Sequence, residues 1–210
     1  MAEIALPHFV ARPVDPTTRG VVVAHEGMGL TAQMVRFARR LAGEGYAVVV
    51  PDFFFRTGGP IGDDHWAHID AVTPEQLRLD LGTATDALRS MGATSIGVTG
   101  FCMGGRFAYR AAEWADELGV DAAVSFYGDI AQELGELRCP ALLLFGGRDE
   151  WISADDVART REAHGDAVIV YPDAGHGFMR DGTPNHHADA AADGWSQLTS
   201  FFAAHVGATA

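Results

Sequence analysis

A cysteine flanked by glycines is the feature of this sequence whose residue types and spacing point most directly to chemistry. Cys102 is the centre of Gly100-Phe101-Cys102-Met103-Gly104, which follows an apolar run and precedes a helical pattern. Small flanking residues let a strand fold back sharply into a helix and leave the central side chain exposed. The helix N-terminus would favour the thiolate. The pattern therefore predicts a nucleophile, the alternative being a buried structural cysteine in a Gly-rich turn.

A nucleophile of this kind needs a base, and the base needs a group that orients it. Asp149 ends Gly146-Gly147-Arg148-Asp149, and His176 lies in Ala174-Gly175-His176-Gly177-Phe178. Each follows an apolar run, and the chain order is nucleophile, acid, histidine. Glu150 and Asp173 are rival acids, although Asp173 is too close to His176 in sequence to point at its ring. We expect Cys102, His176 and Asp149 to be catalytic.

The elements that must position these residues alternate along the chain. The patterns predict six buried strands, at Val21–His25, Tyr46–Pro51, Ser95–Thr99, Ala122–Phe126, Ala141–Phe145 and Ala167–Tyr171. They predict helices at about Thr31–Glu44, from Thr73 to Met91, at Gly105–Leu118, from Ser153 onward, and at about His187–Val206.

This alternation predicts an α/β fold, a doubly wound and mostly parallel sheet flanked by helices. We expect residues 1–210 to form a single domain without an inserted lid domain. The longest irregular stretch is Phe53–Val72, rich in Gly, Asp and His. Loops of that length are usually functional. We interpret this one as a wall of the site.

Composition limits the partners. With 15 basic and 28 acidic residues, the chain has a formal net charge of −13. Such a charge repels phosphate backbones and anionic lipids, so we expect no nucleic-acid or membrane partner. Two cysteines are too few for a disulfide framework, and no signal-peptide pattern is visible. We expect a cytoplasmic protein.

Several motifs together resemble the dienelactone hydrolase family of α/β-hydrolases, from about Gly20 to the C-terminus. They are His25-Glu26-Gly27-Met28-Gly29, Tyr46–Asp52, Gly100–Gly105, Phe126-Tyr127-Gly128 and Ala174–Phe178. A cysteine at the turn together with a glutamate after the early strand is rare among these hydrolases.

The resemblance assigns roles to further residues. In the family, the glutamate matching Glu26 exchanges a hydrogen bond with the resting thiol and takes its proton when substrate binds. The backbone N–H groups of Gly27 and Met103 are the expected oxyanion donors. Arg180 matches an arginine that holds the substrate carboxylate; the alternative is a solvated loop charge. The family chemistry needs no cofactor or metal.

The segment after Pro51-Asp52 departs from the family pattern. The family places an arginine and a tyrosine there, whereas this chain offers Arg56 and an acidic and aromatic run, comprising Asp63, Asp64, His65, Trp66, His68 and Asp70. We expect Arg56, Tyr127 and Phe178 to contact substrate. His65, His68 and the nearby carboxylates are ligand types that would suit zinc, but no cysteine cage accompanies them, so we predict no metal.

Taken together, these features predict hydrolysis of a small ester or lactone, dienelactone-like and carboxylate-bearing, through a thioester on Cys102. Two other hypotheses stay open. The first is a ligand-binding or redox-sensing protein that keeps the fold with weak catalysis, and the second is an acyltransferase that uses an acceptor other than water.

Overall fold

The computed structural model describes residues 6–58 and 65–207. Within these ranges one seven-stranded sheet is formed, and its strands in chain order are β1 (His8–Ala11), β2 (Arg19–Ala24), β3 (Ala47–Pro51), β4 (Ser95–Phe101), β5 (Ala122–Phe126), β6 (Ala141–Gly146) and β7 (Val168–Tyr171). Their spatial order is β1-β3-β2-β4-β5-β6-β7, with β1 antiparallel and every other pairing parallel. The predicted mostly parallel sheet is confirmed.

Strand β1 was not predicted from the sequence. It has four residues, and its register pairs His8 with Pro51 and Ala11 with Val48 of β3. So short a run between prolines has no clear periodicity. The strand forms because its backbone hydrogen-bonds to the outer edge of β3, which is a long-range contact.

Seven α-helices connect and cover the strands: α1 (Ala32–Gly43), α2 (His65–Asp70), α3 (Pro74–Ser90), α4 (Met103–Glu113), α5 (Ala115–Leu118), α6 (Ala154–His164) and α7 (Ala188–His205), counted over the described residues. Thr73 and Ser153, which begin two of the helices predicted from the sequence, cap α3 and α6 by accepting hydrogen bonds from the first turn. Thr31 caps α1 in the same way, although this cap was not predicted from the sequence. None of the described helices is long and apolar enough to cross a bilayer.

The prediction of an irregular stretch over Phe53–Val72 was wrong in part. A 3-10 turn covers Phe55–Thr57, and α2 covers His65–Asp70; residues 59–64, with Asp63 and Asp64, lie outside the described residues. Helix α2 buries one residue, Ile69. One apolar side chain gives too weak a periodicity to reveal a helix from sequence.

Alternating residues of β2 show how the sheet is covered on both faces. Val21 and Val23 pack in the apolar cluster that includes α1 and α7, whereas Val22 and Ala24 pack in the cluster that includes α3 and α4. No inserted lid domain occurs in the described part of the chain. The doubly wound prediction is therefore confirmed.

The order of the strands fixes where a site can form. From β2 the chain moves outward to β3, and from β3 it crosses back to β4 on the other side of β2. Ligands in open α/β sheets bind beyond the carboxyl ends of the strands at such a reversal. Residues that follow β2, β4, β6 and β7 share this edge, and they include Glu26, Cys102, Asp149 and His176.

Candidate active site

The turn between β4 and α4 holds Cys102 in a conformation that L-residues rarely adopt. Its φ is 55° and its ψ is −118°. Its backbone N–H donates to the carbonyl of Phe126 at 3.0 Å, so β5 holds the turn in place. Strain of about 1–3 kcal/mol is typical of such a residue. The turn directs the side chain away from the strand and places it at the N-terminus of α4.

Glycines make this turn possible because other backbone atoms come very close to it. A Cβ on Gly104 would lie 2.2 Å from the carbonyl oxygen of Ala24, at the end of β2. A Cβ on Gly100 would lie 2.0 Å from the carbonyl oxygen of Gly104. Any side chain at either position would push the turn away from β2.

His176 and Asp149 meet in the loops after β7 and β6. The Nδ1 of His176 is 2.9 Å from Oδ2 of Asp149, and both side chains are buried. The other oxygen of Asp149 accepts the backbone N–H groups of Trp151 at 2.8 Å and Ile152 at 3.0 Å. Asp149 is therefore fixed by its own loop, and it orients the imidazole so that Nδ1 carries the proton.

The remaining ring nitrogen of His176 faces the cysteine. This Nε2 is buried and makes no regular hydrogen bond with any described residue. Burial lowers the pKa of His176, but the hydrogen bond to Asp149 and the interaction with the Cys102 sulfur outweigh burial and raise it to about 9. An imidazole in this position can hold a proton for the sulfur and release it again.

The loop after β2 is held by a buried, neutral histidine. His25 accepts the backbone N–H of Phe53 at Nε2 (3.1 Å), and its Nδ1 donates to the carbonyl of Glu26 at 2.8 Å. Desolvation lowers the pKa of His25 to about 4.

The carbonyl of Glu26 and the N–H of Gly27 belong to one peptide group, and in a trans peptide the N–H points opposite to the C=O. The N–H of Gly27 therefore points away from His25, and the N–H of Met103 is one that a helix start leaves without an intrahelical partner.

Glu26 is paired with Arg180. The guanidinium Nε donates to the Glu26 carboxylate, whose side chain is 3% exposed. Tyr127, which is also buried and has a φ of 40°, lies close enough to Glu26, Arg180 and Cys102 for all three to act on its pKa, which burial raises. The described carboxylate contact is thus with Arg180 and not with the thiol expected from the resemblance.

A cavity of about 130 Å³ opens at Cys102 and His176. Its apolar wall consists of Met103, Tyr127, Ile69, Ile152 and the rings of Trp66 and Trp151. Trp151 stacks on the imidazole of His176 with centroids 5.4 Å apart, and Trp66 stacks on Trp151 at 5.0 Å. Its charged residues besides His176 are Arg106 and Asp129. Small-molecule sites are commonly about 300–1,000 Å³, so this cavity suits a small ligand.

Three residues expected to contact substrate are not among those that line this cavity. Arg56 donates two hydrogen bonds, 2.6 and 2.7 Å long, to the buried carboxylate of Asp80 on α3. Because that carboxylate takes both terminal nitrogens of Arg56, neither of them is free for a substrate. Phe178 is fully buried among aromatic rings, including Tyr127 and Tyr171. Arg180 is committed to Glu26 as described above.

Other residues at the site were missed by the sequence reasoning. Arg106 follows Cys102 by four positions, a spacing that places two side chains on one helical face, so it could have been found. Trp151 and Asp129 had no such signal, because they reach the cavity through loop geometry. His65 and His68 were considered above as zinc ligands. The described residues contain no group of three His, Cys, Asp or Glu side chains that could hold a metal ion.

Comparison with known proteins assigns the family. The model of the dienelactone hydrolase family matches residues 6–206. The chain belongs to this family. A protein of Yersinia pestis named "Putative carboxymethylenebutenolidase" is 34% identical over 95% of this chain and 84% of its own length. The carboxymethylenebutenolidase of Pseudomonas putida is 26% identical, over 88% of this chain and 85% of its own.

A solved structure has the same architecture. A "Putative Dienelactone Hydrolase" from Klebsiella pneumoniae superposes with a TM-score of 0.86 at 30% identity, covering 94% of this chain and 92% of its own. Membership of the dienelactone hydrolase family makes the chain a hydrolase of carboxylic esters. The resemblance stated from the sequence motifs is confirmed.

Proposed function

We propose that this dienelactone hydrolase family member cleaves a small ester or lactone through a thioester on Cys102. The observation that carries the proposal is the arrangement of His176, which is bonded to Asp149 through Nδ1 while Nε2 is buried beside the sulfur without a regular partner. A base that is oriented on one side and open on the other is what a thiol nucleophile requires.

The proposed reaction proceeds in two halves. The Cys102 sulfur attacks the carbonyl carbon, its proton residing on His176, and the N–H groups of Gly27 and Met103 stabilise the negative oxygen. The C–O bond breaks, and the leaving oxygen takes the proton from His176. Water then attacks the thioester and gives a proton to His176, and the carboxylic acid departs as the sulfur is restored.

Glu26 and Arg180 form the second part of the proposal. The ion pair keeps the buried Glu26 carboxylate compensated while the cavity is empty. Glu26 serves as an additional proton acceptor for the thiol when that pair loosens. In this assignment Arg180 is a positioning residue for Glu26, a role that its ion pair with the buried Glu26 carboxylate supports.

The substrate is a small carboxylic ester or lactone. The limited cavity volume and its indole rings favour compact acyl groups with an apolar or unsaturated part. A carboxylate on the substrate, as in the carboxymethylenebutenolide named for the relatives, requires a cation at the cavity.

Acylation with 4-nitrophenyl acetate tests the proposal. We expect a burst of nitrophenolate equal to the enzyme concentration, a mass increase of one acetyl group on Cys102, and accumulation of this species in His176→Ala. Cys102→Ala should show neither signal. Cys139→Ala is the matched control, because burial raises the pKa of the Cys139 thiol to about 12 and keeps it unreactive.

The outcomes separate the hypotheses. Acetate as the product supports hydrolysis, whereas acetyl transfer to added alcohols or thiols in preference to water supports an acyltransferase. Absence of an acyl-enzyme with any activated ester, together with sulfenic acid on Cys102 after peroxide treatment, would contradict the proposal and support a redox sensor.

A further inference from the structure

The cavity contains an arginine to which the proposed reaction assigns no task. Arg106 is on the first turns of α4, and its backbone N–H donates to the carbonyl of Cys102 at 3.1 Å. Residues four apart on a helix have Cβ atoms about 5–6 Å apart, and side chains lean toward the helix N-terminus. The guanidinium of Arg106 therefore extends along the cavity wall on the side of the nucleophile.

Arg106 is also uncommitted, in contrast to most cations of this chain. The sequence has no lysine, and more than half of its arginines are within 4 Å of a carboxylate, as Arg56, Arg110 and Arg180 are. Among the described residues, the Arg106 side chain makes no ion pair within 4 Å and no hydrogen bond; its ring contact is Phe107, 5.9 Å from the guanidinium carbon. A half-buried guanidinium without a partner retains its five donors.

From this geometry we propose that Arg106 binds a carboxylate carried by the acyl part of the substrate. The inference rests on the proposed hydrolysis at Cys102, since it takes the reacting carbonyl to lie at that sulfur. The guanidinium fork matches a carboxylate in two hydrogen bonds, and the strongly negative chain would otherwise repel an anionic substrate.

The other charged group of the wall sharpens the choice of substrate. Asp129 is solvent-exposed, and it is near enough to Arg106 for the guanidinium charge to act against the rise that burial causes in the pKa of its carboxyl. Because Asp129 is negative, it offsets part of the positive charge of Arg106 and disfavours substrates that carry more than one carboxylate. The site is thus suited to a monoanionic half-ester or lactone acid whose carboxylate is a few bonds from the reacting carbonyl.

Two activated esters of equal length test this inference. One is 4-nitrophenyl hydrogen glutarate, which carries a terminal carboxylate, and the other is its methyl-capped neutral counterpart. We expect wild type to prefer the anionic ester in kcat/KM. Arg106→Gln should lose roughly 10- to 100-fold on that ester, the range expected for hydrogen bonds to a charged group. Turnover of the neutral ester should remain within about two-fold, because its acyl group does not need the cation.

Two control variants isolate the role of Arg106. Arg106→Lys keeps the charge without the fork and should recover part of the preference. Arg39→Gln removes one exposed positive charge from α1, away from the cavity wall, and should leave the preference unchanged. Turnover of the neutral ester reports directly that Arg106→Gln is folded.

The possible results distinguish a failure of the Arg106 assignment from a failure of the proposed function. An equal loss on both esters in Arg106→Gln, or a wild-type preference retained in that variant, would overturn the assignment of Arg106. The absence of a preference in wild type would overturn it as well. If wild type forms no acyl-enzyme with either ester, the proposed function itself fails, a result distinct from all of these.

Discussion

Two stretches of chain build the cavity in contrasting ways. The turn after β4 is fixed by backbone atoms, with Gly104 against the carbonyl of Ala24 and Cys102 bonded to Phe126. In the described part of the segment after β3, the residues that line the cavity are Ile69, which is buried, and Trp66, which is 47% exposed. Backbone contacts permit one arrangement, whereas side-chain contacts permit several. The comparison indicates that the position of Cys102 is set by the fold, whereas the side chains of Ile69 and Trp66 can be replaced without changing it.

Removal of the negative charge at Asp149 should have the largest effect on activity. In Asp149→Asn the carbonyl oxygen can still accept from Trp151 and Ile152, but the amide then donates to His176 Nδ1 and imposes the wrong tautomer. We expect kcat/KM to fall roughly 10²- to 10⁴-fold. The alkaline limb, expected near the His176 pKa of about 9, should shift to lower pH, because the hydrogen bond and charge that raise this pKa are lost. A pH–rate profile with an unmoved limb would contradict the role of Asp149.

A methyl group at Gly104 should break the turn. The new Cβ would lie 2.2 Å from the Ala24 carbonyl oxygen, so Gly104→Ala should lower the free energy of unfolding by about 3 kcal/mol or more. Gly82→Ala is the control, because a Cβ there, within α3, has its nearest neighbour 3.8 Å away. That variant should gain up to about 1 kcal/mol. Similar urea midpoints for the two variants would show that β2 does not confine the turn.

His25 holds the start of the segment after β3 through the N–H of Phe53, and its contribution to the free energy of unfolding should depend on pH. Its folded pKa of about 4 lies below the unfolded 6.5, so the unfolded chain binds the proton more readily. The stability that neutral His25 provides is complete above pH 6.5 and is lost as the pH falls toward 4, by about 3 kcal/mol at most. The difference in unfolding free energy between wild type and His25→Gln should shrink over this interval. A difference that stays constant from pH 7 to 4 would refute the assignment.

In the segment after β3, Arg56 should matter for stability and not for substrate. Arg56→Gln leaves the buried Asp80 without its cation, and we expect a loss of about 1–3 kcal/mol, reduced from the fully buried case because Arg56 is 31% exposed. Arg78→Gln breaks an exposed pair with Glu117 and should cost under about 1 kcal/mol. A marked rise in KM for the anionic ester in Arg56→Gln would restore the substrate-binding role predicted from the sequence.

The contrast between these stretches also explains what the sequence could predict. The strands β2 to β7 and the capped helices were predicted because apolar periodicity and caps are local signals. Gly100, Cys102 and Gly104 were informative because close backbone approach demands glycine at fixed spacing. Asp149 and His176 follow strands whose carboxyl ends share one edge, so their meeting could be predicted from topology.

The remaining features depend on distant partners that no local pattern encodes. β1 exists through pairing with β3, and α2 contributes one buried residue. Arg56 was expected at the substrate because the sequence does not reveal that Asp80, 24 positions later, faces it. Likewise, the pairing of Arg180 with Glu26 joins residues 154 positions apart. Charge pairing between remote segments decided which arginine remained available at the cavity.

The positive φ of Cys102 places durability and reactivity in opposition at one residue. Glycine would adopt this conformation without steric penalty. The free energy of unfolding of Cys102→Gly should therefore exceed that of Cys102→Ala by about 1 kcal/mol, after allowance for the more flexible unfolded chain of the glycine variant. Selection for a longer-lived fold alone would thus replace the sulfur. The cost in stability of a cysteine in this backbone geometry is consistent with the proposed role of its thiol.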